Sequence, residues 1–166
     1  MKHFLSVGGT GMLAHATVEL AGKSAAQTVV ARHASRFVRK HALAQAVAID
    51  ADWADASFLE RLAAALGEPP DLAVLWRAPD GVFALLDRAP CRVIHVLGTG
   101  AGDLAGRIAR LRESTAPLAN VRHLFVALGS KPTATGRRWL HHDEISGGVL
   151  ECERTSRDVI VGEAPD

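Results

Sequence analysis

The chain has 166 residues, a formal net charge of +1 and 48% hydrophobic residues. This length predicts one domain with a full hydrophobic core. The balanced charge, without a long basic run, argues against binding to nucleic acid or to an acidic membrane surface. No apolar stretch approaches membrane-spanning length. Cys91 and Cys152 stand outside any paired motif, so we expect reduced, buried thiols in a cytoplasmic protein.

A glycine-rich segment follows the first apolar run of the chain. Residues 3–7 are short, apolar and partly β-branched, which predicts a buried strand. Gly8-Gly9-Thr10-Gly11-Met12-Leu13 comes next, and apolar residues at helical spacing continue to Gly22. A strand, a glycine turn and a helix in this order aim unbonded backbone N–H groups at one point. We therefore predict a pyrophosphate site here, in preference to a merely structural turn.

The rest of the chain alternates predicted strands with predicted helices. Further strands are predicted at residues 27–31, 46–49, 72–76, 92–97, 124–128 and 159–161. Helices are predicted at residues 34–41, 55–66, 82–88 and 104–112, and a last helix is marked by Ile145, Val149 and Cys152. The strand at residues 124–128 is predicted to be followed by Gly129-Ser130-Lys131-Pro132 and a polar loop. This alternation indicates an α/β fold over residues 1–166, a single Rossmann-like, doubly wound parallel sheet of about seven strands with helices on both faces.

The residue that ends the second strand indicates which dinucleotide binds. In dinucleotide folds this position reads the 2′ position of the adenosine ribose, and NAD is read there by Asp or Glu. This chain has Arg32 instead, followed by His33, Ser35 and Arg36. A guanidinium can hold a phosphate in a bidentate fork, so we predict NADP in preference to NAD. A solvated basic patch at the start of a surface helix is the alternative.

Together with Asp50 after the third strand and the closing segments from Trp139 to Gly162, these motifs resemble the short-chain dehydrogenases/reductases. The resemblance covers nearly the whole chain and is to an atypical, shortened member. It implies that the glycine turn holds the cofactor pyrophosphate, that Arg32 lies at the 2′ position and that Asp50 contacts the adenine. The nicotinamide would lie above the ends of strands four to six. The residues this assigns to the cofactor are Gly8, Gly9, Thr10, Gly11, Met12, Leu13, Arg32, His33, Ser35, Arg36, Asp50, Ala51, Trp76, Arg77, Thr99, Ser130 and Lys131.

The chain departs from the family pattern at the catalytic centre. The family places a Tyr four residues before a Lys, so that the Tyr exchanges the substrate proton and the Lys lowers the pKa of the Tyr. This chain contains no Tyr. Trp76-Arg77-Ala78 replaces the family's Asn-Ala-Gly stretch, and Thr99 stands where the catalytic Ser is expected. The catalytic residues are therefore unknown, with Thr99 and Lys131 as candidates.

Two functions follow from this combination. The first is an NADP-dependent reductase of flavins or similar flat acceptors, which needs only stacking on the nicotinamide and a proton from solvent or a nearby donor. The second is a non-catalytic dinucleotide-binding sensor or regulatory subunit. The sequence leaves a small-molecule substrate and a homo-oligomer open.

Four other features each have a structural and a functional interpretation. His141-His142-Asp143-Glu144 contains metal-ligand residue types, but adjacent helical positions diverge, so we expect a helix start and no metal. His95 is expected to be a core histidine. Gly98 to Gly102 would either cradle a phosphate or be small because a cofactor or loop passes nearby. Arg137-Arg138-Trp139 would either face an anionic substrate or form a solvated loop anchored by a buried Trp.

Overall fold

The structure is a computed structural model that describes residues 1–76, 78–79, 81–98 and 103–163. The strands are β1 (His3–Val7), β2 (Ala26–Ala31), β3 (Ala46–Asp50), β4 (Leu72–Leu75), β5 (Cys91–Gly98), β6 (Val121–Leu128), β7 (Ser130–Thr133), β8 (Gly136–Trp139) and β9 (Val159–Val161). The helices are α1 (Ala14–Gly22), α2 (Ala34–Lys40), α3 (Phe58–Leu66), α4 (Gly81–Leu86), α5 (Leu104–Thr115) and α6 (His142–Thr155). None of the helices within these ranges is long and apolar enough to cross a membrane.

A seven-stranded parallel sheet in the order β3-β2-β1-β4-β5-β6-β9 forms the centre of the fold. The first strand lies inside the sheet, because β1 pairs with β2 on one side and with β4 on the other. The strand order therefore reverses between β1 and β4. At such a reversal the loops after neighbouring strands diverge, which opens a crevice at the carboxyl edge of the sheet. The predicted α/β fold with a seven-stranded parallel sheet is confirmed.

Helices cover both faces of the sheet, as predicted. On one face α1 and α6 bury Leu20, Ile145 and Val149 against the central strands. On the other face α3 and α4 contribute Phe58 and Phe83 to a second core. Burial on both sides explains why the strands are nearly continuous apolar runs.

The segment after β6 differs from the predicted polar loop. Residues Ser130–Thr133 and Gly136–Trp139 form an antiparallel hairpin, β7–β8, in which Ser130 is opposite Trp139. Gly136 has a φ of +143°, which closes the turn in a conformation that favours glycine. Trp139 is 45% exposed. The expectation of a loop anchored by a buried Trp139 was wrong, because strand pairing, rather than an indole in the core, holds this segment.

Helix boundaries differ from the predictions by a few residues. The predicted helix at residue 55 begins at Phe58, because Asp52 and Asp55 bond to backbone N–H groups in a preceding turn. Helix α5 continues beyond residue 112 to Thr115. Three apolar side chains of α5 are only partly buried: Leu104, Ile108 and Leu111.

Two smaller predictions are confirmed. The segment from His141 begins α6, and Glu144 Oε2 accepts a hydrogen bond of 2.7 Å from the His141 N–H, as expected for a helix start. Cys91 and Cys152 are both buried free thiols.

His95 is buried, as predicted, and is paired with a second histidine. His95 Nε2 lies 2.8 Å from His123 Nδ1 on the neighbouring strand. The His95 ring also packs against Phe83 and Phe125. Burial, together with the neighbouring His123, lowers the pKa of His95 to about 3. Burial also lowers the pKa of His123. Both rings are therefore neutral at physiological pH.

The histidine pair predicts acid sensitivity. In the unfolded chain both imidazoles take up a proton as the pH falls through about 6.5, whereas in the folded chain they stay neutral to lower pH. The free energy of unfolding is therefore unaffected by these two histidines above this pH. Below it, the free energy of unfolding falls by about 1.4 kcal/mol per pH unit for each proton. We expect the thermal midpoint of His95→Phe to fall less steeply between about pH 7 and pH 5. The exposed His142→Gln is the control, and equal slopes in His95→Phe and the unmodified chain would contradict the account.

Candidate functional site

The turn after β1 accepts only glycine at two positions. Gly8 has a φ of +75°, in the left-handed region, and a Cβ there would lie 3.1 Å from Trp76 Cβ. The Gly8 N–H donates to Val30 O at 2.8 Å, which ties the turn to β2. A Cβ on Gly9 would overlap the hydroxyls of Ser6 and Thr17. The first glycine therefore provides the turn, and the second allows β1 and α1 to pack closely.

Buried hydroxyls hold this turn in place. Thr17 Oγ1 donates to Gly9 O at 2.9 Å, and Ser6 Oγ lies 3.1 Å from Thr17 Oγ1. Because the Thr17 proton goes to Gly9, Ser6 is the donor in the second bond. From α6, Ser146 Oγ donates to Met12 O at 3.2 Å. Two carbonyls of the turn thus point into the protein and are satisfied there.

The N–H groups on the other side of the turn remain available. No acceptor within the described residues bonds to the N–H groups of Thr10, Gly11, Met12 or Leu13. These groups lie just before α1, where the helix dipole favours an anion. Nothing lies within 4 Å of a Cβ added to Gly11. A phosphate could therefore approach this stretch of backbone closely.

A cavity of about 600 Å³ opens in front of the turn. It follows the carboxyl ends of the first four strands, which is the crevice that the strand reversal creates. Its lining consists of Val7, Gly8, Thr10, Gly11, Met12, Leu13, Val30, Ala31, Arg32, His33, Ala51, Asp52, Trp53, Ala54, Phe58 and Trp76. Apart from Gly9, the predicted residues of the glycine turn thus come together around one space with Arg32 and His33 from the end of the second strand.

Arg32 stands at the end of the cavity that β2 reaches. Its side chain is exposed, and it forms no ion pair with any residue that the structure describes. His33 lies beside it on the same wall. An unpaired guanidinium at this position can bind an anion at little cost, because no internal partner has to be displaced.

Asp50, Ser35 and Arg36 do not line the cavity. Asp50 Oδ1 accepts a hydrogen bond of 2.8 Å from the Ser35 N–H at the start of α2. This bond holds the pKa of Asp50 below its ordinary value. Arg36 is exposed on α2. Ala51, the residue directly after β3, lines the cavity, and the Asp50 carboxylate does not.

Trp76 lies across the carboxyl ends of β1, β4 and β5. Its side chain starts beside Gly8, and its Cη2 lies 3.9 Å from where a Cβ on Gly98 would be. Trp139 Cη2 lies 3.6 Å from the same Gly98 position. Beyond Trp76 is a second pocket of about 350 Å³, which shares Trp53 and Trp76 with the first. Trp53 and Trp76 line both spaces and therefore stand between them.

Ser130 and Lys131 lie in the hairpin and line neither cavity. Lys131 Nζ forms an ion pair of 2.7 Å with Glu144 Oε1. Arg138 makes two further bonds of 2.9 Å to the same carboxylate. The bonds from Arg138 and Lys131 hold the pKa of Glu144 far below its ordinary value. Ser130 Oγ accepts a bond of 2.7 Å from Arg137, whose guanidinium also pairs with Glu163 at 2.9 Å. The basic residues of the hairpin thus form ion pairs with Glu144 and Glu163, which flank it in the fold.

Thr99 and Arg77, which the sequence also assigned to the site, lie outside the described residues, as does the glycine stretch after Gly98. Several lining residues were not assigned to the site from the sequence, among them Trp53 and Arg107. Trp53 follows β3 as Trp76 follows β4, and an aromatic residue just beyond a strand end was the signal for it. Arg107 lines the second pocket from α5, four residues before Leu111 on the same helix face.

No family model and no curated protein sequence matches this chain. Solved structures match it over nearly its whole length. A short-chain dehydrogenase from Burkholderia cenocepacia J2315, in complex with NADP, covers 98% of this chain and 97% of its own, with 16% identity and a TM-score of 0.64. The fold is that of the short-chain dehydrogenases/reductases.

Two further structures support the same assignment of fold. A short-chain dehydrogenase/reductase family protein covers 97% of this chain and 96% of its own, with 18% identity and a TM-score of 0.67. The NADH-dependent reductase A1-R′, complexed with NAD, covers 97% and 95%, with 15% identity and a TM-score of 0.65. The resemblance to short-chain dehydrogenases/reductases is thus confirmed for the fold. Structures with this fold carry NADP in one case and NAD in another.

Proposed function

We propose that the protein binds NADP(H) and acts as an oxidoreductase without the Tyr–Lys pair. The observation that carries this proposal is the set of unbonded N–H groups from Thr10 to Leu13, which face an open cavity with Arg32 on its wall. In this arrangement the backbone N–H groups bind the pyrophosphate and Arg32 binds the 2′-phosphate. The bound cofactor supplies or accepts a hydride at its nicotinamide.

Proton transfer sets the limits of the chemistry. His95 lines the second pocket but is a neutral imidazole held by His123, and Lys131 is engaged by Glu144 away from both cavities. Neither is placed as a strong general acid. Acceptors that need little proton assistance, such as flavins and quinones, fit this supply of donors better than simple ketones do.

A dinucleotide-binding sensor or regulatory subunit is the second candidate. Trp76 favours it, because the indole extends from Gly8 to Gly98 over the strand ends where a nicotinamide would approach a substrate. A ring stacked on one face of the nicotinamide would allow binding and restrict turnover. Measurement of turnover separates the two functions.

The first test concerns the glycine turn. Gly11→Val adds a side chain that meets no protein atom within 4 Å at its Cβ and projects into the space assigned to the pyrophosphate. We expect NADP⁺ binding in calorimetry to be lost while the circular dichroism spectrum and the thermal midpoint stay unchanged. Gly147→Val, at an equally open position on α6, is the control. Normal NADP⁺ affinity in Gly11→Val would refute the pyrophosphate assignment.

The second test concerns cofactor preference. Arg32→Glu replaces the guanidinium with a group that repels the 2′-phosphate and accepts hydrogen bonds from a 2′-hydroxyl. Charge-assisted bonds are worth about 1.5–3 kcal/mol, so NADP⁺ affinity should fall at least about tenfold, with NAD⁺ affinity unchanged or raised. Arg39→Glu, farther along α2, controls for net charge. Equal NADP⁺ and NAD⁺ affinities in the unmodified protein would contradict the preference.

The third test separates enzyme from sensor. NADPH oxidation is followed by absorbance with a flavin, a quinone and a simple ketone as acceptors. We expect oxidation with the flavin or quinone, little with the ketone, and an effect of Lys131→Ala well below the hundredfold that a general acid typically contributes. Fast ketone reduction that Lys131→Ala abolishes would reveal a working acid at this residue. Tight NADPH binding without oxidation by any acceptor would favour the sensor.

A further inference from the structure

The described lining of the second pocket is mostly apolar and includes one charged side chain. Its apolar lining comes from the ends of two strands and from the helices that cover them: Leu75, Ala78, Phe83, Leu97 and Leu111. Trp53 and Trp76 form the side toward the first cavity. His95 and Arg107 complete the lining. Among the described lining residues none is acidic, and Arg107 is the one that carries a fixed charge.

The Arg107 guanidinium has N–H groups that no described residue accepts. Its Nη1 donates to Gly98 O at 2.9 Å, which orients the guanidinium toward the carboxyl end of β5. No carboxylate of the described chain lies within ion-pair distance of it. A partly buried cation without a counterion is unfavourable, and an anion entering from solvent would satisfy it. The planar fork of an Arg suits the two oxygens of a carboxylate.

The other polar group in the pocket does not alter this charge. His95 Nε2 is bonded to His123, and its ring is packed between Phe83 and Phe125. A neutral imidazole neither repels a carboxylate nor competes with it for Arg107. The described lining of the pocket therefore combines one positive group with aromatic and aliphatic walls, which is the complement of a flat apolar molecule with a single negative group.

We propose that the second pocket binds a planar, apolar carboxylate, with Arg107 holding the carboxylate and the indoles of Trp53 and Trp76 contacting the ring system. This ligand gives the acceptor of the proposed function a chemical class, a flat monoanion. The inference rests on the proposed function only in identifying the molecule in this pocket as the acceptor. The shared indoles place that molecule directly beside the first cavity.

The test uses anthraquinone-2-carboxylate and its neutral counterpart anthraquinone-2-carboxamide as probes, with binding measured by calorimetry in the presence and absence of NADP⁺. Arg107→Gln should weaken binding of the carboxylate at least about tenfold and leave the carboxamide nearly unchanged, because only the carboxylate loses charge-assisted bonds. Arg110→Gln removes the same charge from an exposed position on the same helix and should bind both probes like the unmodified protein.

A second variant keeps the test decisive if Arg107→Gln loses its fold. Leu111→Trp fills the pocket without changing its charge and should abolish binding of both probes while NADP⁺ still binds. Carboxylate affinity that is equal in Arg107→Gln and the unmodified protein overturns the proposal. Competition between the carboxylate and NADP⁺ also overturns it, because the pocket would then belong to the cofactor. If the unmodified protein binds the carboxylate through Arg107 but does not bind NADP⁺, the proposed function is refuted and the proposed class of ligand for this pocket stands.

Discussion

The site depends on the hydrogen bonds that hold the glycine turn from inside. Thr17 reaches back from α1 to Gly9 O, Ser6 donates to Thr17, and Ser146 donates from α6 to Met12 O. These bonds satisfy the carbonyls of the turn in the interior, so its N–H groups are directed outward. With these bonds, one face of the turn is occupied by protein and the other is available to an anion.

The strand order decides what faces that anion. Because β1 lies inside the sheet between β2 and β4, the end of β2 with Arg32 is on one side of the turn and Trp76 after β4 is on the other. The turn therefore has a cation on one side and aromatic side chains on the other. The same order puts the second pocket beyond Trp76. Two adjoining spaces with different chemistry thus result from a single reversal of strand order.

The basic residues of the hairpin β7–β8 lie near the site but are bound by acidic residues of the protein. Glu144 binds Lys131 and Arg138, and Glu163 binds Arg137. Three cations near the carboxyl edge of the sheet are thereby held in ion pairs with two carboxylates of the protein itself. Arg32 and Arg107 have no such partner among the described residues. The position of acidic neighbours, more than the position of the basic residues themselves, separates the cations that can bind a ligand from those that stabilise the fold.

The amino-acid sequence by itself determined the strands, the glycine turn and the position of Arg32, because each follows from residues close along the chain. Apolar runs predict strands, glycines predict the turn, and Arg32 directly follows β2. Tertiary structure decided the rest. The engagement of Lys131 by Glu144, the bond from the Ser35 N–H to Asp50 and the pairing of His95 with His123 join residues 13 to 28 positions apart. Such pairings depend on how strands and helices pack, which periodicity and spacing do not encode. The second pocket, with Arg107 in its lining, forms only when α5 packs beside β5, so no local sequence pattern predicts it.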